Sequence, residues 1–473
     1  MLHLAFALAL ASTEDVINLM RSGQEAAALS ASRELVVEQP SDVEAHELLI
    51  DLLMNLGLGY QAEDAYEAFV EANDTAMGWY LRGRALVDAE EARAAYEKSL
   101  AADPNYARAH MGLASVDRAQ GGVTRAQERY EKALELDPTL TEAYAGLAGV
   151  LLQQGLEAEA LALTKRATST VPSDPEGWLA LAALDPTNAP KHLAQGHKNV
   201  PKDPRLLHAL ATEKIQAGDV AGAAQLLEKA LSIDPREPQI RADLDVVREL
   251  QAGTIDLAGH AELARARTLS YEAPVAAQVT FDDLVVRYPD CYLVHLGRAH
   301  LFAEQDLSPQ AKKDLLVAAK LKPDSPDVVG ALGMLSLNDG DFQTALPLLQ
   351  KASAARPEDL ELAVSVGLAM LPVEGINPAV NHLARVAEQN PTEIAPVMAI
   401  VSILSQANRP DAAYTVLDRA LERYPHPTLL LSFAAAAKDL GRTKEAAATL
   451  RQLEAITGDA KFGAMADELS PKR

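Results

Sequence analysis

A nine-residue stretch, Tyr130-Glu-Lys-Ala-Leu-Glu-Leu-Asp-Pro138, recurs with small changes at Tyr96–Pro104 and at Leu227–Pro235. Prolines of this kind continue along the chain, and seven of the ten intervals between them equal 34 residues. They stand at positions 40, 104, 138, 172, 201, 235, 289, 323, 357, 391 and 425. A fixed period of this length is typical of an array of repeated structural units.

An alanine twelve residues before each proline gives a second, independent sign of the same register. The spacing of the prolines does not impose any residue at that offset. Two helices that cross closely need a side chain no larger than a methyl group at their contact, so each unit is expected to contain a packed helix pair. These alanines are Ala28, Ala92, Ala126, Ala160, Ala189, Ala223, Ala277, Ala311, Ala345, Ala379 and Ala413.

The unit at 107–140 shows how the two helices are delimited. The first, or A, helix is predicted at about 106–120, and the glycine pair Gly121-Gly122 ends it. The second, or B, helix is predicted at about 124–136, with apolar residues spaced for one helical face. Asp137-Pro138 ends the B helix, because proline pushes the preceding residue out of the helical region.

This pattern resembles the tetratricopeptide repeat. The unit at 107–140 carries the residues that the repeat places at its key positions, namely Leu113-Ala114, Ala126, Tyr130, Ala133 and Pro138. Thirteen such units cover about residues 9–460. The resemblance implies an all-α fold, a right-handed superhelical solenoid of stacked antiparallel helix pairs. It also implies that the chain binds other proteins or peptides.

Breaks in the period suggest how the chain is organised. The interval from Pro235 to Pro289 is 54 residues, which is one repeat plus 20. Residues 238–252 read as one additional helix, so we expect 238–257 to be an irregular helical joint that proteases cut first. The expected organisation is an apolar segment 1–11, a first block 12–237, the joint 238–257, a second block 258–460, and a capping segment with tail 461–473.

The apolar segment 1–11 has two interpretations. Ala9-Leu10-Ala11 resembles a signal-peptide cleavage site, whereas His3 is the only basic character before the apolar run. A cleaved signal would place the protein in the periplasm or outside the cell, and a first helix packed on the array would leave it in the cytoplasm. The segment is too short to cross a bilayer, and we expect no integral membrane span.

The chain is acidic, with a net charge of −24 from 67 acidic and 43 basic residues. Residues 1–106 hold 19 acidic and 6 basic residues, so more than half of the excess lies in the first quarter of the chain. Such a surface repels phosphate backbones, and we expect no nucleic acid partner. The acidic end is either a solvated surface or a docking patch for a basic partner.

Sequence patterns of catalytic and metal sites are absent. No glycine-rich phosphate loop occurs, the eleven histidines are scattered, and a single cysteine, Cys291, excludes a cysteine zinc framework. We therefore expect no metal, no cofactor and no enzymatic activity.

The A-helix positions expected to face the groove are mostly small or apolar, as Gly149, Val364 and Leu368 illustrate. A less uniform patch is the candidate partner-binding site: Arg108, Met111 and Arg118 from one A helix, with Arg205, His208 and Thr212 from another three units on. Its cations could receive an acidic or phosphorylated segment. Alternatively, its arginines are ordinary surface residues whose stems cover apolar neighbours.

The function expected is that of an interaction scaffold whose groove binds apolar segments or helices with weak salt dependence. The rival surface is the acidic first hundred residues, where binding would be strongly salt-sensitive. A second function is a structural or regulatory subunit of a bacterial envelope complex for secretion, pili or polysaccharide. A third, an enzyme with an unrecognised site, would need a compact domain for which the repeats leave no room.

Overall fold

A computed structural model describes residues 12–469 of the chain, and in that range the fold is entirely helical, with no β-strand. The first fifteen helices are α1 (Thr13–Arg21), α2 (Glu25–Glu38), α3 (Val43–Asn55), α4 (Gly59–Ala72), α5 (Ala76–Ala85), α6 (Ala89–Ala102), α7 (Ala107–Ala119), α8 (Val123–Leu136), α9 (Thr141–Gln153), α10 (Glu157–Thr170), α11 (Pro175–Leu184), α12 (Ala189–Asn199), α13 (Pro204–Gln216), α14 (Val220–Ile233) and α15 (Pro238–Ala252).

The remaining thirteen are α16 (Leu257–Glu272), α17 (Pro274–Arg287), α18 (Tyr292–Glu304), α19 (Ser308–Leu321), α20 (Pro326–Asn338), α21 (Phe342–Ala355), α22 (Leu360–Glu374), α23 (Ile376–Gln389), α24 (Ala395–Gln406), α25 (Pro410–Arg423), α26 (Pro427–Asp439), α27 (Thr443–Thr457) and α28 (Ala460–Leu469). A 3-10 helix, Pro186–Asn188, replaces the ordinary turn between α11 and α12. The predicted all-α fold of consecutive helix pairs is confirmed.

The described chain forms two compact units. Unit 1 comprises residues 12–217 and 225–240, and unit 2 comprises 218–224 and 241–469. The apolar segment 1–11 lies outside the described residues, as do the last four residues of the tail. That 238–257 acts as a joint stays a prediction.

Thirteen helix pairs follow one another, seven in α1–α14 and six in α16–α27, while α15 and α28 are additional helices. The number of pairs equals the number of repeats counted in the sequence. All eleven alanines of the repeat register are buried, with at most 5% of their surface exposed. The steric reason given for these alanines therefore holds along both units.

The turn within a pair needs one residue in the left-handed region. Gly121 and Gly155 adopt φ values of +77° and +76° there. Asp306 and Asn408 occupy the same position of their own units and adopt φ values of +58° and +54°. Glycine is the usual solution because it lacks a Cβ, and aspartate and asparagine are the side chains that tolerate this conformation best.

Aromatic side chains of the B helices pack against the A helix of the next pair. A Cβ built on Gly112 would lie 2.6 Å from the ring of Tyr96, and one on Gly146 would lie 2.3 Å from the ring of Tyr130. Each ring therefore occupies the space that a side chain on the next A helix would need. Glycine at these two positions is therefore required by the packing of the neighbouring ring.

Helix α15 does not belong to a helix pair, and from Arg241 onward it packs on unit 2. Its Arg241 Nη2 donates to Glu358 Oε1 at 2.6 Å, and its Glu249 forms an ion pair with Lys322 at 3.5 Å. Val246 is 3% exposed and joins the core that surrounds α16–α19. The helix thus reaches from the turn after α19 to the turn before α22.

Candidate functional site

We call the A-helix positions that the sequence predicts to face a partner the inner rows. The 34-residue period brings equivalent residues to the same face of successive A helices. In unit 2, one row is Leu296, Gly330, Val364, Met398 and Ser432, and the other is His300, Met334, Leu368 and Ser402. Neighbours within a row approach each other, since Ser432 Oγ lies 3.6 Å from Met398 Sδ.

The inner wall of unit 1 is crossed by ion pairs. Arg108 on α7 donates through Nη1 to both carboxylate oxygens of Glu47 on α3, at 2.8 and 2.7 Å. It also lies 3.5 Å from Glu44. These partners are 61 residues apart in the chain, and the A helix α5 lies between their helices in sequence. The pair therefore links two repeats that are not adjacent.

A second guanidinium crosses the same wall. Arg84 on α5 binds Asp51 on α3 at 3.0 and 3.1 Å, and it binds Glu142 on α9 at 2.7 and 3.1 Å. Four carboxylates of the wall thus surround two guanidinium groups, which leaves the wall acidic. The residues are Glu44, Glu47, Asp51 and Glu142 with Arg84 and Arg108.

Glu47 is the most enclosed carboxylate of this wall, with 8% of the residue exposed. Burial raises its pKa, and the charge of Arg108 together with the hydrogen bond from the Tyr80 hydroxyl opposes that effect. Burial likewise raises the pKa of Asp51 against the influence of Arg84. Burying these carboxylates therefore costs desolvation free energy, and their ion pairs with Arg108 and Arg84 offset that cost.

The candidate residues on α7 have three different surroundings. Arg108 is engaged by Glu47, as described above, and Met111 is 4% exposed and packs in the core of the stack. Arg118 is exposed and forms neither a hydrogen bond nor an ion pair within residues 12–469. A Cβ built on Gly149 would lie 3.9 Å from its guanidinium, so Arg118 borders the small residues of the next A helix.

Two of the three candidate residues on α13 line a cavity. Arg205 is bound by Asp203 at 2.9 Å and by Glu176, and the Thr212 hydroxyl donates to the His208 carbonyl at 3.2 Å. Arg205 and His208 line a cavity of about 400 Å³, with Arg21 and Glu237 among its other walls. The six candidate residues therefore occupy two separate settings, one on α7 and one on α13, and their binding role stays a proposal.

The acidic residues of α3 and Arg84 were not among the residues predicted from the sequence. A signal was present, because Glu44, Glu47 and Asp51 stand at the second, fifth and ninth positions of α3, and Arg84 stands at the ninth of α5. The interval from Pro40 to Pro104 is four residues short of two repeats, and this contraction hid the register. The observed first residues of α3 and α5 show which positions of the repeat these charged residues occupy.

The inner wall of unit 2 is apolar over three successive A helices. Leu368 is 38% exposed, and Met334, Val364 and Met398 are each partly exposed. This surface matches the expected apolar groove, whereas the wall of α3–α9 in unit 1 does not.

Neither a metal-binding group nor a membrane-spanning helix is found in the described residues. Residues 12–469 contain no group of three or more histidine, cysteine, aspartate or glutamate side chains placed to hold a metal ion. No helix in that part of the chain combines the length and apolar character needed to cross a membrane.

Comparison with known families adds to this geometry. Models of the tetratricopeptide repeat match residues 117–184 and residues 398–460, one stretch in each unit. Both units of the chain thus contain tetratricopeptide repeats. No curated protein matches the sequence of this repeat protein.

Solved structures share the repeat at low identity. The APC/C hetero-tetramer Cut9-Hcn1 is 17% identical over 98% of this chain and 97% of its own, with a TM-score of 0.35. The Naa15/Naa10 complex bound to HypK-THB is 13% identical over 97% of this chain and 76% of its own, with a TM-score of 0.38. A tetratricopeptide repeat protein from Parabacteroides merdae is 11% identical over 56% of this chain and 98% of its own, with a TM-score of 0.31. At these TM-scores the structures carry no argument about the partner of this repeat protein.

Proposed function

We propose that this repeat protein is an interaction scaffold whose unit 2 inner wall binds an apolar segment of a partner protein. The observation that supports it best is the half-exposed apolar surface formed by Met334, Val364, Leu368 and Met398. Covering these side chains removes apolar area from water, which is the main favourable term in most protein association. An amphipathic helix or an extended apolar peptide has the matching surface.

The binding energy would be spread over several repeats. Each wall residue presents only part of its side chain, and apolar area contributes about 25 cal/mol per Å² on burial. Truncating one wall residue should therefore cost about 1–2 kcal/mol, below the level of a dominant hot spot.

We also propose that the chain acts by binding and not by catalysis. Helix pairs and the additional helix α15 account for the described chain from α1 to α27, and the carboxylates with raised pKa values on α3 are held in ion pairs across the wall. That arrangement is typical of structural ion-pair networks, which also perturb pKa values.

A second surface is favoured by the unit 1 wall. Three of its carboxylates keep large exposed side-chain fractions, 74% for Glu44, 50% for Asp51 and 51% for Glu142. Excess negative charge on a concave wall attracts a basic segment, and such binding weakens as salt is added. The two surfaces therefore predict partners of opposite character.

Affinity capture of the intact protein from its own cells tests the proposal. Wild-type protein, Leu368→Asp and Leu316→Asp would be compared, since both leucines are exposed, at 38% and 50%, and only Leu368 lies on an A helix. The expected result is a partner that Leu368→Asp loses and Leu316→Asp keeps. Partners retained by both variants would contradict binding at the unit 2 wall.

The same captured sample distinguishes the envelope alternative. Its mature N-terminus would be read by mass spectrometry, because a processed end would favour a subunit of an envelope complex. An end that retains residues 1–11 would favour the alternative in which this segment belongs to the array.

A further inference from the structure

Three arginines of unit 1 surround one buried aspartate beside the turn between α7 and α8. Asp117, near the end of α7, is fully buried, with 0% of the residue exposed. Arg93 on α6 donates through Nη2 to Asp117 Oδ1 at 3.0 Å. Arg125 and Arg129, both on α8, approach the same carboxylate through Nε at 3.5 and 3.0 Å. One carboxylate thus holds three guanidinium groups together.

This cluster carries more positive charge than the fold neutralises. Asp117 is the one carboxylate within ion-pair distance of any of these three arginines in residues 12–469. Three guanidiniums around one carboxylate leave an excess of two positive charges, in a chain whose net charge is −24. Neither Arg125 nor Arg129 donates a hydrogen bond within the described chain, and 66% of the Arg125 side chain is exposed. Their terminal nitrogens are therefore available to a ligand.

The cluster also lies at the N-terminal end of α8. Arg93 Nη2 donates at 2.8 Å to Oε1 of Gln120, which is the C-cap of α7. A Cβ built on Gly122, the N-cap of α8, would lie 3.1 Å from Arg125 Nη2. No side chain caps this helix, and the amides of Thr124 and Arg125 donate no hydrogen bond to the described residues. Free amides at a helix N-terminus favour negative charge, so they add to the effect of the guanidiniums.

The repeat does not need this cluster in order to fold. The next pair, α9 and α10, has helices of the same lengths as α7 and α8, namely 13 and 14 residues. That pair has Leu151 at the position of Asp117 and Leu163 at the position of Arg129, and both leucines are buried. Buried ion pairs are often no more stable than apolar residues of similar volume, so packing does not account for the cluster. Departures of this kind from the local pattern are expected at functional sites.

We propose that Arg93, Arg125 and Arg129 around Asp117 bind a phosphoryl group on a side chain of a partner protein. A phosphoryl group carries about −1.5 to −2 charges at neutral pH, which matches the excess of two positive charges. Its three acceptor oxygens can accept hydrogen bonds from guanidiniums and from the helix amides at once. The proposed site lies in unit 1 and uses no residue of the unit 2 wall.

The acidic residues around the cluster favour a single phosphoryl group over a longer polyanion. Gln120 Nε2 donates to Glu90 at 2.7 Å, and Glu97 and Glu128 line a cavity of about 380 Å³ beside Arg129. None of these three glutamates comes within ion-pair distance of the arginines of the cluster. Together with the net charge of the chain, they repel an extended polyanion. A carboxylate neutralises one of the two excess charges and should bind more weakly than a phosphoryl group.

The test uses the full-length protein and matched libraries of short peptides with a fixed central phosphoserine, glutamate or serine. Retained peptides would be synthesised, and fluorescence anisotropy would give their affinity for wild-type protein, Arg125→Gln and the double variant Arg125→Gln/Arg129→Gln. Arg166→Gln is the matched control, because Arg166 is an exposed arginine of α10 that forms no ion pair within the described chain. Circular dichroism and the unfolding midpoint of each variant would establish that the variants remain folded.

Phosphoserine peptides are the expected binders, and their glutamate and serine versions should bind at least about tenfold more weakly. Arg125→Gln should weaken the phosphopeptides about tenfold, as loss of a charge-assisted hydrogen bond does, and the double variant should weaken them further. Arg166→Gln should change little. Leu368→Asp should also change little, because the proposed site does not include the unit 2 wall.

Four results would overturn the proposal and leave the unit 2 wall untouched. Glutamate peptides that bind as tightly as phosphoserine peptides would overturn the preference for a phosphoryl group. Phosphopeptide affinity that survives in the folded double variant would overturn the assignment to the arginine cluster, and so would a library that yields no phosphopeptide. Inorganic phosphate that binds as tightly as the peptides would show that the ligand is the free ion and not a side chain of a partner.

Discussion

The inner walls of the two units are built by the same repeat, but the wall of α3–α9 in unit 1 is charged and the wall of α20–α24 in unit 2 is apolar. In unit 1, α3, α5, α7 and α9 present carboxylates and guanidiniums that bind one another. In unit 2, α20, α22 and α24 present Met334, Leu368 and Met398 at equivalent or neighbouring positions. The residues that hold the stack together, such as the buried alanines, are the same in both units.

This difference separates scaffold positions from inner-row positions. An alanine at the helix crossing or a left-handed turn residue is required wherever two helices pair. The inner-row positions differ from the crossing and turn positions, so their residues can differ between units that keep the same repeat. In unit 1 the acidic side chains of α3 and α9 pair with Arg84 and Arg108, whereas unit 2 leaves apolar side chains partly exposed.

The largest effect expected is on the stability of unit 1. Replacing Glu47 by alanine leaves Arg108 and the Tyr80 hydroxyl without their shared acceptor, in a site where Glu47 is 8% exposed. Breaking a buried ion pair costs about 3–5 kcal/mol. Urea unfolding of the intact protein, followed by circular dichroism, measures the change.

Glu44 provides the control for this prediction, because its side chain also approaches Arg108 but is 74% exposed. Replacing Glu44 by alanine should change the unfolding free energy by about 0–1 kcal/mol. Equal losses in the two variants would show that the wall of unit 1 is not held by its buried pair.

The next effect concerns partner binding in unit 2. Truncating Leu368 to alanine should weaken the captured partner by about 1–2 kcal/mol, or roughly five- to thirtyfold. Leu316→Ala, at an exposed B-helix position, should leave the affinity unchanged. Isothermal titration calorimetry with the purified partner measures both values.

A smaller effect should appear as acid is added, with opposite signs in the two units. The raised pKa of Glu47 means that the folded state takes up a proton before the unfolded state does. The contribution of Glu47 to stability should therefore increase as the pH falls from neutral through its raised folded pKa toward the ordinary value. A Glu47→Gln variant should lack this increase.

Asp314 in unit 2 should behave in the reverse way. Burial acts to raise its pKa, but His295 and Arg298, the latter at 2.7 Å through two donors, outweigh burial and lower it. Its contribution is present above the ordinary aspartate pKa and is lost as the pH falls through the lowered folded value. Unfolding free energies of Asp314→Asn across the acid range test this, and a loss identical to that of the wild type would contradict it.

The smallest effect expected is that of salt on binding at the apolar wall. Raising salt from about 50 mM to about 500 mM should change that affinity by less than about twofold, because screening acts on exposed charges. A basic segment bound to Glu44, Asp51 and Glu142 of unit 1 should instead weaken strongly. A steep salt dependence that persists in Leu368→Asp would assign the partner to unit 1.

Much of this architecture could be predicted from local sequence. The predicted B helix at 124–136 is observed at Val123–Leu136, and the additional helix at 238–252 is observed at Pro238–Ala252. Such boundaries depend on residues close together in the chain, such as Gly121 with its positive φ and Asp137-Pro138. The pairing of consecutive helices follows from short turns and from one alanine per crossing.

The repeat period, the helix pairs and the buried alanines could therefore be predicted from the amino-acid sequence, because each depends on contacts between neighbouring repeats. Which charged side chains of the inner wall form ion pairs could be determined only from the tertiary structure. Arg108 meets Glu47 across 61 residues and Arg84 meets Glu142 across 58, whereas Arg118 meets no carboxylate of the described chain. These distances depend on how the A helices pack within each unit, and that packing accumulates from small rotations between repeats that no single motif encodes.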